Sequence, residues 1–214
     1  MGQLVLSTFN VKSPSPANSD TTFELARTSN ANIFNGGGGG IDINAFTWLG
    51  SWKVYRTVLA FDYTINKLPA GSVITSIITN ITNASNGAFS HDWQVVFVSG
   101  TGCIGVAAND FITLFGKTTS FASIPIDSFT GNFDQSINAT GLVDLVAQLT
   151  NNPNYVYLGV RCSRDINDVQ PPSGNDSAVA SSVTLTINYT LVPSTKLVGS
   201  PLSGGAYRVS RRLL

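Results

Sequence analysis

The sequence predicts an all-β protein, a jelly-roll β-sandwich with one short connecting helix and a C-terminal tail. Three observations predict it. Charged residues make up only 11% of the 214 residues, against about 25% in an average soluble domain, and Glu24 is the single glutamate. Surface helices are usually dressed in Glu, Lys and Arg, so this composition points away from a helical protein. Ser, Thr, Asn and Gly carry the polarity instead, and several segments alternate apolar and polar residues with a period of two. One segment alone carries a helical period.

The elements follow in order. Leu4 to Phe9 reads as a strand, and Ser13-Pro14-Ser15-Pro16-Ala17-Asn18-Ser19-Asp20 reads as a turn cluster. Phe23 to Ala26 is read as a short strand. Gly36 to Gly40 is a run of five glycines. A phosphate-cradling loop would need a Lys and a Ser or Thr opening a helix, and Ile41-Asp42-Ile43-Asn44 follows instead, so the run is read as a flexible loop. Tyr55 to Tyr63 alternates, with Thr57, Leu59, Phe61 and Tyr63 on one face. Val73 to Ile81, Gln94 to Ser99, Phe111 to Phe115 and Phe121 to Ile126 read as further strands. Leu142, Leu145, Val146 and Leu149 follow helical spacing, with Thr140 as the expected cap and Asn151-Asn152-Pro153 as the stop. Tyr155 to Cys162 then reads as a central strand. In Val183 to Leu191 every odd position is apolar and every even one is Thr or Asn, the pattern of a strand with one face in a core.

The expected organisation is one sandwich over 1–193 and a basic tail over 194–214. Residues 1–193 hold eight Lys/Arg and twelve Asp/Glu, a net −4, while 194–214 hold Lys196, Arg208, Arg211 and Arg212 and no acid, a net +4. The body has no basic stripe, so no nucleic-acid partner is expected. No apolar run approaches the ~18 residues of a membrane helix, and no membrane insertion is expected. The first residues lack a charged leader region, which predicts a cytosolic start.

The segment Arg56-Thr57-Val58-Leu59-Ala60-Phe61-Asp62-Tyr63-Thr64, followed by Leu68-Pro69-Ala70-Gly71-Ser72-Val73-Ile74-Thr75-Ser76-Ile77, resembles the signature of DNRLRE-type jelly-roll domains. Ile137 to Val143 with its helix, and Tyr155 to Val160 after it, are similar to that family's later helix and glycine-bearing strand. The resemblance covers roughly residues 20 to 191. This sequence departs from it in two extra residues between Asp62 and Leu68, in Ile77 where Ala is common, and in the five-glycine run. The resemblance implies a carbohydrate-binding-module-like shape and an extracellular, adhesive or phage-associated setting. Fold alone does not assign function.

Candidate site residues are few. His91, in Ser90-His91-Asp92-Trp93, is the only histidine, which makes a His-based metal site or triad a poor fit; it reads as a loop residue before a strand. Asp165, Asn167 and Asp168 form an oxygen-rich cluster that offers a weak Ca²⁺ candidate, with a solvated loop as the simpler reading. No cofactor is expected. Cys103 and Cys162 read as buried free thiols, with a bridge between them left open. Trp48, Trp52 and Tyr55 flank Leu49-Gly50-Ser51 and offer a glycan or protein contact; packing in the core or at the sandwich rim is the alternative. Tyr207, Arg208, Arg211, Arg212, Leu213 and Leu214 read either as a docking arm or as a simple terminus. These features together lead to the expectation of a non-enzymatic virion component that decorates a capsid or belongs to a tail or host-contact device. Its expected partners are itself, other virion proteins and cell-surface glycans. A stand-alone carbohydrate-binding module or adhesin, acting outside the cell, is the competing expectation.

Overall fold

The computed structural model describes residues 1–8, 15–20, 22–28, 33–35, 40–48, 51–87, 90–104, 108–152, 154–171 and 175–192. Its strands form two antiparallel sheets. The large sheet holds β1 (Gly2–Ser7), β2 (Ser15–Asp20), β3 (Ile33–Asn35), β4 (Ile41–Trp48), β5 (Ser51–Tyr55), β7 (Ser72–Asn86), β10 (Gly131–Ser136), β12 (Asn175–Ala180) and β13 (Ser182–Leu191). Its order is β1-β13-β7-β12-β4-β5-β2-β3, with β10 also paired to β7. The small sheet has the order β6 (Thr57–Asp62), β11 (Tyr155–Cys162), β8 (Gln94–Ser99), β9 (Ser120–Pro125). The all-β sandwich expected from composition and alternation is the fold observed.

The main core lies between the sheets. Leu59, Phe61, Leu158, Val160, Val95 and Phe97 come from the small sheet; Ile41, Ile43, Ile77, Val183, Leu185 and Ile187 come from the large one. Each of these buries its side chain, and at about 25 cal/mol per Å² of apolar surface this term dominates folding. The Thr57 hydroxyl ties the sheets at one corner, accepting from the Asp42 N–H at 2.9 Å and donating to the Asp42 carbonyl at 2.8 Å. Gly40, the last of the glycine run, is required where the start of β4 meets β12: a Cβ there would lie 1.9 Å from the Ala180 carbonyl. The rest of the run, 36–39, and the whole segment 193–214 lie outside the described residues.

Four α-helices occur among the described residues, three more than the sequence suggests: α1 (Phe23–Thr28), α2 (Ala108–Phe115), α3 (Ala139–Asn151) and α4 (Ser163–Asn167). The expected strand at Phe23 to Ala26 is α1. Thr22 caps it, its hydroxyl accepting from the Leu25 N–H at 3.1 Å, and Phe23, Ala26 and Arg27 turn inward at helical spacing. The expected strand at Phe111 to Phe115 is part of α2. A five-residue apolar run fits either period, and the burial of Phe111 and Leu114, three apart, is helical. Helix α3 is as expected, but its cap is Asn138, whose side chain accepts from the Gly141 N–H at 3.0 Å, rather than Thr140. The turn cluster at 13–20 instead contains β2. Pro16 is tolerated because β2 begins to pair with β5 only at Ala17.

Strand β6 also differs in part from expectation. Leu59, Phe61 and Tyr63 share the core face, but Val58 and Ala60 are buried as well. They join Val96, Val98, Tyr157 and Leu114 in a second cluster on the outer side of the small sheet. Gly159 in β11 makes room there, because a Cβ would lie 2.4 Å from a Leu114 methyl.

Candidate functional site

The most concentrated chemistry in the molecule lies on the outer side of the small sheet, where α1, α2 and α4 meet β6 and β11. Asp165 of α4 is fully buried at its centre. Arg56, just before β6, grips it with two bonds, Nε to Oδ2 and Nη2 to Oδ1, both 2.7 Å. Arg161 of β11 adds Nε to Oδ2 at 2.8 Å. Arg27 of α1 donates to the Asp165 backbone carbonyl at 2.9 Å and pairs with Glu24 and Asp168 at its outer edge. The guanidinium groups also close backbone gaps. Arg56 donates to the carbonyls of Phe111 and Arg27, and Arg161 donates to those of Leu114, Phe115 and Lys117. The last three are at and just beyond the C-terminal end of α2, where Arg161 joins the Lys117 N–H in donating to the Leu114 carbonyl and also caps those of Phe115 and Lys117. The Arg56 guanidinium lies 3.8 Å from the Phe111 ring centre.

The electrostatics follow from that geometry. Burial pushes the Asp165 carboxyl up, but the charges and hydrogen bonds of Arg56, and then those of Arg161, outweigh it and hold the group well below the usual carboxylate range. Burial lowers Arg56 from its ordinary value, and Asp165 opposes that shift. The Asp165, Asn167, Asp168 cluster divides. Asp165 is buried in the short helix Ser163–Asn167 rather than in a solvated loop, while Asn167 and Asp168 are exposed. Both Asp165 oxygens accept from arginines. Among the described residues no group of three or more His, Cys, Asp or Glu is placed to hold a metal ion.

The Ser90-His91-Asp92 run disperses onto three partners. Ser90 gives its N–H and hydroxyl to the buried Asp176 at 2.9 and 2.7 Å. His91 is exposed and meets Asp127, whose hydrogen bond and charge raise the imidazole above its ordinary value. Asp92 pairs with Arg164. His91 is therefore a surface residue preceding β8, as the sequence suggests.

The aromatic candidates do not form one platform. Trp52 and Tyr55 are three apart in β5 and point to opposite faces. Trp52 is half-buried in an edge contact with Phe23 at 5.6 Å, and Tyr55 is only 8% exposed. Tyr55 is thus withdrawn from the surface contact expected of it. Of Trp48 only the backbone is described, paired opposite Ser51. Cys103 and Cys162 are buried free thiols in separate clusters. Burial pushes the Cys162 thiol up to about 12 and raises Cys103 as well, so neither is a ready nucleophile. The tail residues Tyr207, Arg208, Arg211, Arg212, Leu213 and Leu214 lie outside the described residues.

Sequence reasoning missed the arginines. Arg56 and Arg161 each sit in or beside an otherwise apolar strand in a chain poor in charge, and that placement was the available signal. Among the described residues no helix is long and apolar enough to cross a membrane. No protein-family model matches the chain, and no curated protein matches it.

Proposed function

We propose that this chain is a non-enzymatic structural subunit of a virion, a rigid block that decorates a capsid or forms part of a tail or host-contact device. The observation that carries the reading is the use made of its ionisable groups. The buried acid Asp165 is saturated by arginines, Ser90 is committed to Asp176, and His91 meets only a surface carboxylate. Such groups fix the outer helices to the sheet; they do not form a nucleophile–base–acid set. The acidic body and the basic 194–214 segment give one chain two complementary charges, which suits docking between copies.

The test is the solution mass of the full-length chain against a version ending at Ser194, by light scattering. The full-length protein is expected to form particles larger than its 22.6 kDa monomer, and the truncated one to stay monomeric. Two identical monomers would overturn docking through the tail. Turnover of any polysaccharide by the full-length chain would overturn the non-enzymatic reading.

A further inference from the structure

Four residues along β11 from Arg161, on the same outer face of the small sheet, the turn after β8 and the flank of α3 enclose a hollow of about 260 Å³. Its apolar lining comes from Tyr157, Cys103 and Ala147, and its polar lining includes Thr101, Asp144 and Asn151. The half-buried carboxylate of Asp144 is the organising group. It accepts from the Ser99 hydroxyl at 3.0 Å, the Thr101 hydroxyl at 3.2 Å and the Gln148 amide at 2.8 Å. Gln148 is itself locked, donating to the Tyr157 carbonyl at 2.9 Å and accepting from the Tyr157 N–H at 2.8 Å. The carboxylate is therefore aimed before any ligand arrives.

The geometry points to a binding site for one neutral sugar ring, a function distinct from assembly through the tail. A carboxylate offers about four acceptor sites; Thr101 is shared between the two oxygens, and its longer contact, 3.5 Å to Oδ2, is weak enough to give way to a ligand hydroxyl. Ser99 and Thr101 give their protons to Asp144; the Ser99 oxygen already accepts from the Thr101 N–H at 3.1 Å, so the Thr101 hydroxyl oxygen is the one offered to a ligand donor. Asn151 is exposed at the rim and adds an amide donor and acceptor. A sugar ring presents this complement, hydroxyls around its edge and C–H groups on a face that rests on an aromatic or apolar floor. The lining holds a carboxylate and no Lys or Arg, which disfavours anions. Ligand pockets usually run to about 300–1,000 Å³, so this smaller hollow takes a single ring at a chain end.

The experiment uses the full-length protein and the methyl glycosides of glucose, galactose, mannose and N-acetylglucosamine, with saturation-transfer NMR to find binding and calorimetry to measure it. At least one glycoside is expected to bind. Asp144→Asn is expected to weaken it roughly tenfold or more, the scale of a hydrogen bond to a charged group. Asn151→Trp, which fills the hollow from an exposed position, is expected to abolish it, and Trp52→Ala to leave it unchanged. Thermal melts establish that each variant is folded, and Asn151→Trp decides the matter should Asp144→Asn fail to fold. The proposal is overturned if no glycoside binds, if both hollow variants bind like the parent, or if lysine amide alone binds, which would mark the site as an ammonium receptor. Because a monomer would bind the same glycosides, failure here leaves the assembly reading standing, and the reverse holds as well.

Discussion

The two faces of the small sheet are built on different physics. The inner face packs Leu59, Phe61, Leu158 and Val160 against the large sheet, held mainly by burial, with the Thr57–Asp42 hydrogen bonds at one corner. The outer face begins as an apolar patch, Val58, Ala60, Val96 and Val98, and ends in a buried carboxylate shared by two arginines. Burial is non-directional and divides among many side chains, so the inner face can lose a methyl group and adjust. The outer cluster is directional. Asp165 reaches Arg56 across 109 residues of sequence, and those arginines in turn hold α2 in place. The comparison teaches that one face degrades gradually and the other fails when one group is lost.

The largest effect is expected from Asp165→Asn, which leaves Arg56 and Arg161 buried without their counter-charge. Breaking a buried pair from one side costs about 3–5 kcal/mol, to be read from urea unfolding. The same contrast appears with pH. Asp165 lies below its ordinary value of 3.8 in the folded chain, so the unfolded chain takes up the proton first. Its contribution is complete above about pH 4 and drains away as the pH falls further toward the folded value. Unfolding curves between pH 5 and 2 are expected to show that loss; a flat profile would show that the arginines do not stabilise the charged form. On the other face, Ile187→Val removes one core methyl group and is expected to cost about 1 kcal/mol, with no pH dependence. A cost near that of Asp165→Asn would erase the distinction between the faces. The smallest effect is expected from His91→Ala, where both His91 and Asp127 are exposed and solvent screens the pair. No change in unfolding midpoint is expected, and a measurable one would give the His91–Asp127 pair a structural role.

The small sheet and the strands β1, β7 and β13 of the large one were legible in sequence because their side chains obey one local rule; β2, β3, β4, β10 and β12 were not. Val183, Leu185 and Ile187 alternate with threonines, and Tyr155 to Cys162 lies between two partner strands as expected. The short helices were not legible. Six residues in α1 and eight in α2 hold too few turns to show a period, and isolated helices of that length are unstable without tertiary packing. The candidate sites were legible in kind but not in place. Tyr55 reads as a surface aromatic and is buried, and Asp165 reads as a loop acid and is the centre of the cluster. The polar hollow at Asp144 joins residues from the turn after β8, α3 and β11, none of which carries a motif.

By itself the sequence determined what depends on neighbours along the chain. It set the strand periods, helix α3, the scarcity of charge and the separation of an acidic body from a basic end. Only the tertiary structure decided which arginine meets which carboxylate, that both faces of β6 are covered, and that the two cysteines lie apart. The physical reason is range. Alternation and capping act over two to four residues, whereas a buried ion pair gains its energy only when segments over a hundred residues apart are brought together and water is excluded from both.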